Sequence, residues 1–190
     1  MARKPLTSEE LEAATVGPLE SFSGRIRLVE YDREWPRLYD EEEARVRTVL
    51  EGRVIRLEHV GSTSVPGLAA KPIIDIVLAV ADSSDEGSYV PNLQSASYSL
   101  RVREPDWFQH RLFKGPVADV NLHVFSEGST EIDRMILFRD WLRAHEDDRL
   151  EYERVKRELA TREWGHVQHY ADAKNEIVDE ILDRAWSGRS

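Results

Sequence analysis

Cysteine is absent from this 190-residue sequence, which excludes both a disulfide framework and a thiolate metal site. Nothing ties the chain to an oxidising compartment, so the cytoplasm is the expected location. Long apolar runs are missing as well. No stretch approaches the roughly 18 uninterrupted apolar residues of a spanning helix, and the opening MARKPLTSEELEAATVG is charged rather than apolar, unlike a secretory leader. Neither membrane insertion nor secretion is expected. Positive charge is in short supply: 26 Lys and Arg face 36 Asp and Glu, a formal net charge of −10. General binding to nucleic-acid backbones, which needs clustered cations, is therefore not expected, although a local basic pocket is compatible with this composition.

What is present suits a compact domain. The length fits one domain and 41% hydrophobic residues supply a core. Residues 1–23 read as an N-terminal extension and 24–190 as a single domain. Thr7 and Glu10 have capping-box spacing ahead of Leu11, so a short helix of weak tertiary role is expected in the extension. RIRLVEY, from Arg25 to Tyr31, reads as a strand, followed by a helix from Trp35 to Leu50 with Asp32 at its start. A short strand over Val54–His59 leads into Gly61-Ser62-Thr63-Ser64, a composition that suits a turn opening a helix. IIDIVLAV, after Pro72, is the near-continuous apolar run of a central strand covered on both faces. Asp82–Asn92 is polar and reads as loop with at most a short helix. Strands are expected at Tyr98–Arg103, Arg111–Lys114 and Val117–Phe125, the last two joined at Gly115-Pro116. From Ile132 the apolar spacing turns to three and four, so two or three helices close the chain. No internal repeat is visible, and the charge runs Glu41–Glu43 and Glu146–Arg149 read as solvated helix faces.

Asp75 is the costliest residue in this pattern. A carboxylate within IIDIVLAV needs a partner or a metal unless it sits at the strand's exposed end, accepting backbone hydrogen bonds. The preceding turn offers a context for it. Gly61 permits close backbone approach, and Ser62, Thr63 and Ser64 present hydroxyls and N–H groups that can cradle phosphate oxygens or simply cap a helix. Lys71 is placed to balance Asp75 or a phosphate, if it is not an ordinary surface lysine.

ADVNLHVF puts Asp119, Asn121 and His123 on one strand face and Val120, Leu122 and Val124 on the other. If this strand neighbours that of Asp75, Asp119 or His123 can share Mg²⁺ or Mn²⁺ with it; otherwise the polar row is an outer face. Arg111 and Lys114 are candidates for a triphosphate, or for cross-strand ion pairs. His59 reads as structural. His166, His169 and Tyr170 share a helical face without a nearby carboxylate, a weak metal signal, and the five tryptophans read as core.

The motifs VEYDREWP, EHVGSTSVPGLAAKPIIDI, NLHVF, FRDWLRAH, EYERVKRELA and YADAK together resemble the GrpB family, with only the first twenty or so residues outside the resemblance. It implies an α+β fold like the nucleotidyltransferase domain of DNA polymerase beta: a mixed or antiparallel sheet flanked by helices, with a C-terminal helical segment. In that superfamily a Gly-Ser turn holds the triphosphate, a following strand supplies two acids one residue apart, and a later strand supplies a third. Gly61-Ser62 matches the turn and Asp75 one acid, but its same-face neighbours are Ile73 and Val77. The expected function is nucleotide binding at the Gly-Ser turn, with metal-dependent nucleotidyl transfer by Asp75 and Asp119 and metal ligation by Asp75, His123 and Asp119. Relatives joined to a coenzyme A biosynthesis kinase imply the alternative, a non-catalytic accessory domain binding a nucleotide or coenzyme phosphate. A structural module using the acidic helices is the third possibility. Oligomeric state is not legible in the sequence.

Overall fold

The structure, a computed structural model, describes residues 5–18, 24–117 and 119–188. In chain order its elements are α1 (Ser8–Ala14), β1 (Gly24–Arg25), α2 (Trp35–Leu50), β2 (Arg56–Val60), β3 (Ile74–Val80), α3 (Val90–Ser95), β4 (Ser99–Glu104), β5 (His110–Lys114), β6 (Val120–Ser126), α4 (Thr130–Ala144), α5 (Glu146–Ala160), β7 (Glu163–Trp164), α6 (Val167–Asp172) and α7 (Asn175–Ser187). Tight 3₁₀ turns lie at Glu51–Arg53, Ser62–Ser64 and Glu86–Ser88.

Five strands form a mixed sheet in the order β2-β3-β6-β5-β4. Only the β3–β6 pair is parallel. Its register sets Asp75 beside Asn121 and Val77 beside His123, so the condition attached to the polar row of β6 is met: the two strands are neighbours. Alternation then divides the sheet into two chemically distinct faces. Ile74, Ile76, Leu78 and Val80 join Val120, Leu122 and Val124 in one core with Trp35, Val46 and Leu50 of α2 and Leu93 of α3. On the opposite face Val77 and Ala79 pack with Phe125 and with Ile132 and Ile136 of α4. Asp75 emerges on this second face, at the end where the apolar cover gives way.

The C-terminal helices fill the space beyond that end. Leu142, Tyr152, Ile177 and Ile181, from α4, α5 and α7, pack on Val65 and Leu68, which directly follow the Gly-Ser turn. Helix propensity alone would leave this arrangement undecided; burial of the apolar stripes fixes it.

Two expectations need correction. Arg25–Tyr31 is not a continuous strand: β1 spans Gly24–Arg25, pairs with β7, and Val29 makes a separate bridge to Ala70. The alternating pattern was genuine, but the segment runs past two different partners and stays with neither. The N-terminal helix also has more tertiary engagement than expected. Its capping box is present, Leu11 is buried, and Thr15 bridges Val102 on the edge strand β4, which shields otherwise unpaired backbone groups. Residues 1–4 and 19–23 of the expected extension, and Ala118 in the expected Val117–Phe125 strand, lie outside the described residues. No described helix is long and apolar enough to cross a membrane.

Candidate functional site

The site is built where β2 turns back toward β3. Gly61 has φ 69° and ψ −174°, a region open essentially to glycine alone. A Cβ there would stand 2.5 Å from Asp75 Oδ2. The glycine thus lets a carboxylate lie directly against the backbone of the turn. Of the three following hydroxyls, two are committed internally: Thr63 Oγ1 donates to Ile73 O at 3.0 Å and Ser64 Oγ donates to Gly61 O at 2.6 Å. Ser62 faces the cleft, where it accepts from Lys156 Nζ at 3.0 Å.

Asp75 is half-buried, and its carboxylate has partners. Asn121 Nδ2 donates to its Oδ1 at 2.8 Å, and His123 Nε2 lies 3.7 Å from the same oxygen. Burial by itself would raise the Asp75 pKa, but His123, Asn121 and Lys71 together outweigh it and hold the carboxyl below its ordinary value. Asp119 lies just before β6, is exposed, and is paired with Lys114, Nζ to Oδ1 3.0 Å. Among the described residues no group of three His, Cys, Asp or Glu is arranged to hold a metal. Asp75 and His123 are the two donors of that kind that come together at the turn.

Above Asp75 three lysine side chains converge. A cavity of about 50 Å³ is lined by Ser62, Thr63, Asp75, Lys71, Lys156 and Lys174, with Tyr170 among its walls. Lys71 and Lys174 flank the Tyr170 ring, their amines 5.7 and 5.0 Å from its centroid. Lys156 is 2% exposed and lies 4.9 Å from the centroid of Tyr152. Burial lowers the pKa of all three amines. For Lys71 it is aided by Lys174 and opposed by Asp75, bringing the value down to about 8. Lys156 is driven well below the usual lysine range, by burial first and then Lys174. Lys174 is lowered by burial against the pull of Asp75 and Asp172. The Tyr170 hydroxyl is buried and, among the described residues, has no hydrogen-bond partner. Lys156 Nζ also donates to the Ala69 carbonyl. Three amines whose charged form burial disfavours, together with Tyr170, line one small cavity.

A second cavity of about 300 Å³ shares Ser62, Asp75 and Lys174 with the first and continues past His123, Glu131, Arg134 and Phe138. The smaller space suits one tetrahedral oxyanion, since a single water needs only about 10–15 Å³ on this measure. The larger is of ligand size.

The remaining candidates fall elsewhere. Arg111 is buried away from both cavities, Nε 2.6 Å from Glu86 Oε1, with Nη1 on the carbonyls of Gln109 and His110. Lys114 is engaged with Asp119. His59 stacks on Tyr39 and bonds Thr63, a structural placement. His166 accepts from Gln168 N at the start of α6. Reasoning from sequence missed Lys156 and Lys174. A signal was present: Tyr152, Lys156 and Leu159 recur at helical spacing on one face, so Lys156 stands on an apolar stripe.

A family profile described as GrpB protein matches residues 25–184. The chain belongs to the GrpB family. Among GrpB relatives, the UPF0157 protein BH1888 of Halalkalibacterium halodurans is 61% identical over 95% of this chain and 93% of its own length. A dephospho-CoA kinase of Mycolicibacterium paratuberculosis is 30% identical over 85% of this chain but only 46% of the kinase. The crystal structure of the conserved protein GrpB from Enterococcus faecalis matches with TM-score 0.71 and 28% identity, over 84% of this chain and 99% of that one. Cid1 in complex with its short product ApU matches with TM-score 0.50 and 10% identity, over 67% of this chain and 41% of that one. This GrpB protein therefore has an α+β, nucleotidyltransferase-like fold.

Proposed function

We propose that this GrpB protein binds a nucleoside polyphosphate, with phosphate oxygens against Lys71, Lys156, Lys174 and Ser62 and the remainder of the nucleotide in the adjoining 300 Å³ cavity. One observation carries the reading: three lysines from different elements converge beside the Gly-Ser turn, each depressed in pKa by burial. A bound polyanion would favour the charged form of all three and add charge-assisted hydrogen bonds to the cluster. Transfer of a nucleotidyl group is the reaction class the fold suggests. Its usual two-ion form needs several carboxylates, and the strand offers one. Ile73 and Val77 occupy the flanking positions and Asn121 presents an N–H to Asp75, so the strand does not supply the carboxylates of a two-ion site; a single Mg²⁺ or Mn²⁺ would have Asp75 and the phosphate oxygens of the nucleotide as its ligands.

The accessory reading, coenzyme or nucleotide phosphate bound without turnover, is favoured by the resemblance to less than half of a dephospho-CoA kinase. Titration calorimetry with a panel of nucleoside triphosphates and coenzyme A, each with and without Mn²⁺, tests both. Nucleoside triphosphate binding that is lost in Lys156→Met supports the main reading. Heat only from coenzyme A, unaffected by metal, favours the accessory one, and no heat from any ligand overturns both.

A further inference from the structure

Between α4, α7 and the connection from β4 to β5 lies a third cavity, of about 470 Å³, which phosphate binding leaves unused. The rings of Phe108 and Trp186 line it and stay 45% and 50% exposed. Exposed apolar side chains scattered singly need no explanation, but two aromatic rings on one cavity of ligand size do. Phe108 is also held there against its backbone preference. It and Gln109 both have φ 52°, the left-handed region that residues other than glycine seldom enter. The hydroxyl of the buried Ser83 and Arg111 Nη1 both donate to Gln109 O at 2.9 Å, so the surrounding structure keeps the turn in this form and the ring at the cavity. Backbone strain maintained in this way clusters at ligand clamps.

The polar lining gives the cavity its sign. Glu131, Asp179 and Asp183 share it with a single guanidinium, Arg134, which is divided between Glu131 Oε1 at 3.0 Å and Asp179 Oδ1 at 3.5 Å. Asp183 is exposed, and among the described residues no Lys, Arg or His pairs with it. An anion is repelled by this lining, and a neutral apolar ligand leaves the Asp183 carboxylate unanswered. A cation satisfies both features, because the faces of aromatic rings attract an ammonium group and a carboxylate adds to the attraction. We infer that this cavity binds a small organic cation, an ammonium group carried on an apolar or aromatic body, with the body against Phe108 and Trp186 and the charge toward Asp183. Glu131 and Arg134 also line the 300 Å³ cavity, so one ion pair is common to the two sites and the cation is a second ligand beside the first. Binding of the cation requires no nucleotide.

Phenethylamine, with phenethyl alcohol as its uncharged counterpart, tests this on the full chain in the absence of nucleotide. Titration followed by NMR should move the Trp186 indole signal, identified by its loss in Trp186→Leu, to saturation in the millimolar range. The alcohol should bind about 5- to 10-fold more weakly than the amine. Asp183→Asn, a change at an exposed position, should weaken the amine about 3-fold and leave the alcohol unaffected. Phe108→Gly should weaken the amine too while leaving the thermal midpoint unchanged or raised, because glycine adopts a positive φ without strain. Equal affinity for amine and alcohol, an undiminished titration in both Asp183→Asn and Phe108→Gly, or no saturable movement of the Trp186 signal overturns the site.

Discussion

His59 carries its single ring proton on Nε2, against Thr63. The Thr63 hydroxyl donates to Ile73 O, so at 3.0 Å from His59 Nε2 it must accept. Burial, with smaller contributions from Arg143 and Arg139 and against the pull of Asp75, lowers the His59 pKa to about 4. In the unfolded chain the value is about 6.5. Between these limits the unfolded state binds more protons, so stability is lost as pH falls from about 6.5 to about 4, by about 3 kcal/mol in all. Denaturant unfolding at pH 7 and pH 4.5 should show this slope in the wild type and a shallower one in His59→Gln, whose amide can still donate to Thr63. Equal slopes would remove His59 as the cause.

Gly61→Ala is expected to cost about 2–4 kcal/mol, from the glycine-only backbone region together with the overlap with Asp75. The contact is with a carboxylate already held by Asn121, so relief would come at the expense of the site. Gly52→Ala, where an added Cβ meets nothing within 4 Å, should stay within about 0.5 kcal/mol of wild type. Thermal unfolding of the two variants side by side decides the matter; similar losses would mean that the close approach is unimportant.

Nucleotide affinity should fall as pH rises through about 8, where Lys71 loses its proton in the free protein. A bound polyanion favours the ammonium and moves that pKa up, so binding near pH 8 takes up protons. Calorimetry in buffers of different ionisation enthalpy reads the uptake directly. A proton release, or an affinity flat from pH 7 to 9, would contradict the assignment of Lys71 to the phosphates.

Tyr170→Phe separates ligand binding from stability. Removing a buried hydroxyl that has no partner among the described residues should leave the free protein unchanged or stabilise it by about 1 kcal/mol. If a ligand oxygen is that hydroxyl's missing partner, nucleotide affinity should drop about 5- to 10-fold. Reduced thermal stability with unchanged affinity would show the hydroxyl to be structural.

Much of this was legible in the chain itself. The apolar run around Asp75 announced a central strand covered on both faces, and the alternation in VNLHVF announced which side chains would face the core. Both signals are local, because a strand's period of two fixes the faces whatever its neighbours are. The Gly-Ser turn and its isolated carboxylate were likewise visible as a composition that makes physical sense beside a ligand.

The partners of that carboxylate were not. Asp119 and His123 looked equivalent on one strand face, and only the parallel register of β3 and β6 put Asn121 and His123 against Asp75 while Asp119 paired with Lys114. Lys156 and Lys174 lie 81 and 99 residues from Asp75 in the numbering and reach it by the packing of α5 and the turn before α7 on the sheet's open end. Sequence determines which surfaces each element must bury. Which distant charges are thereby forced together depends on how several such surfaces are satisfied at once, and that is decided only when the whole core closes.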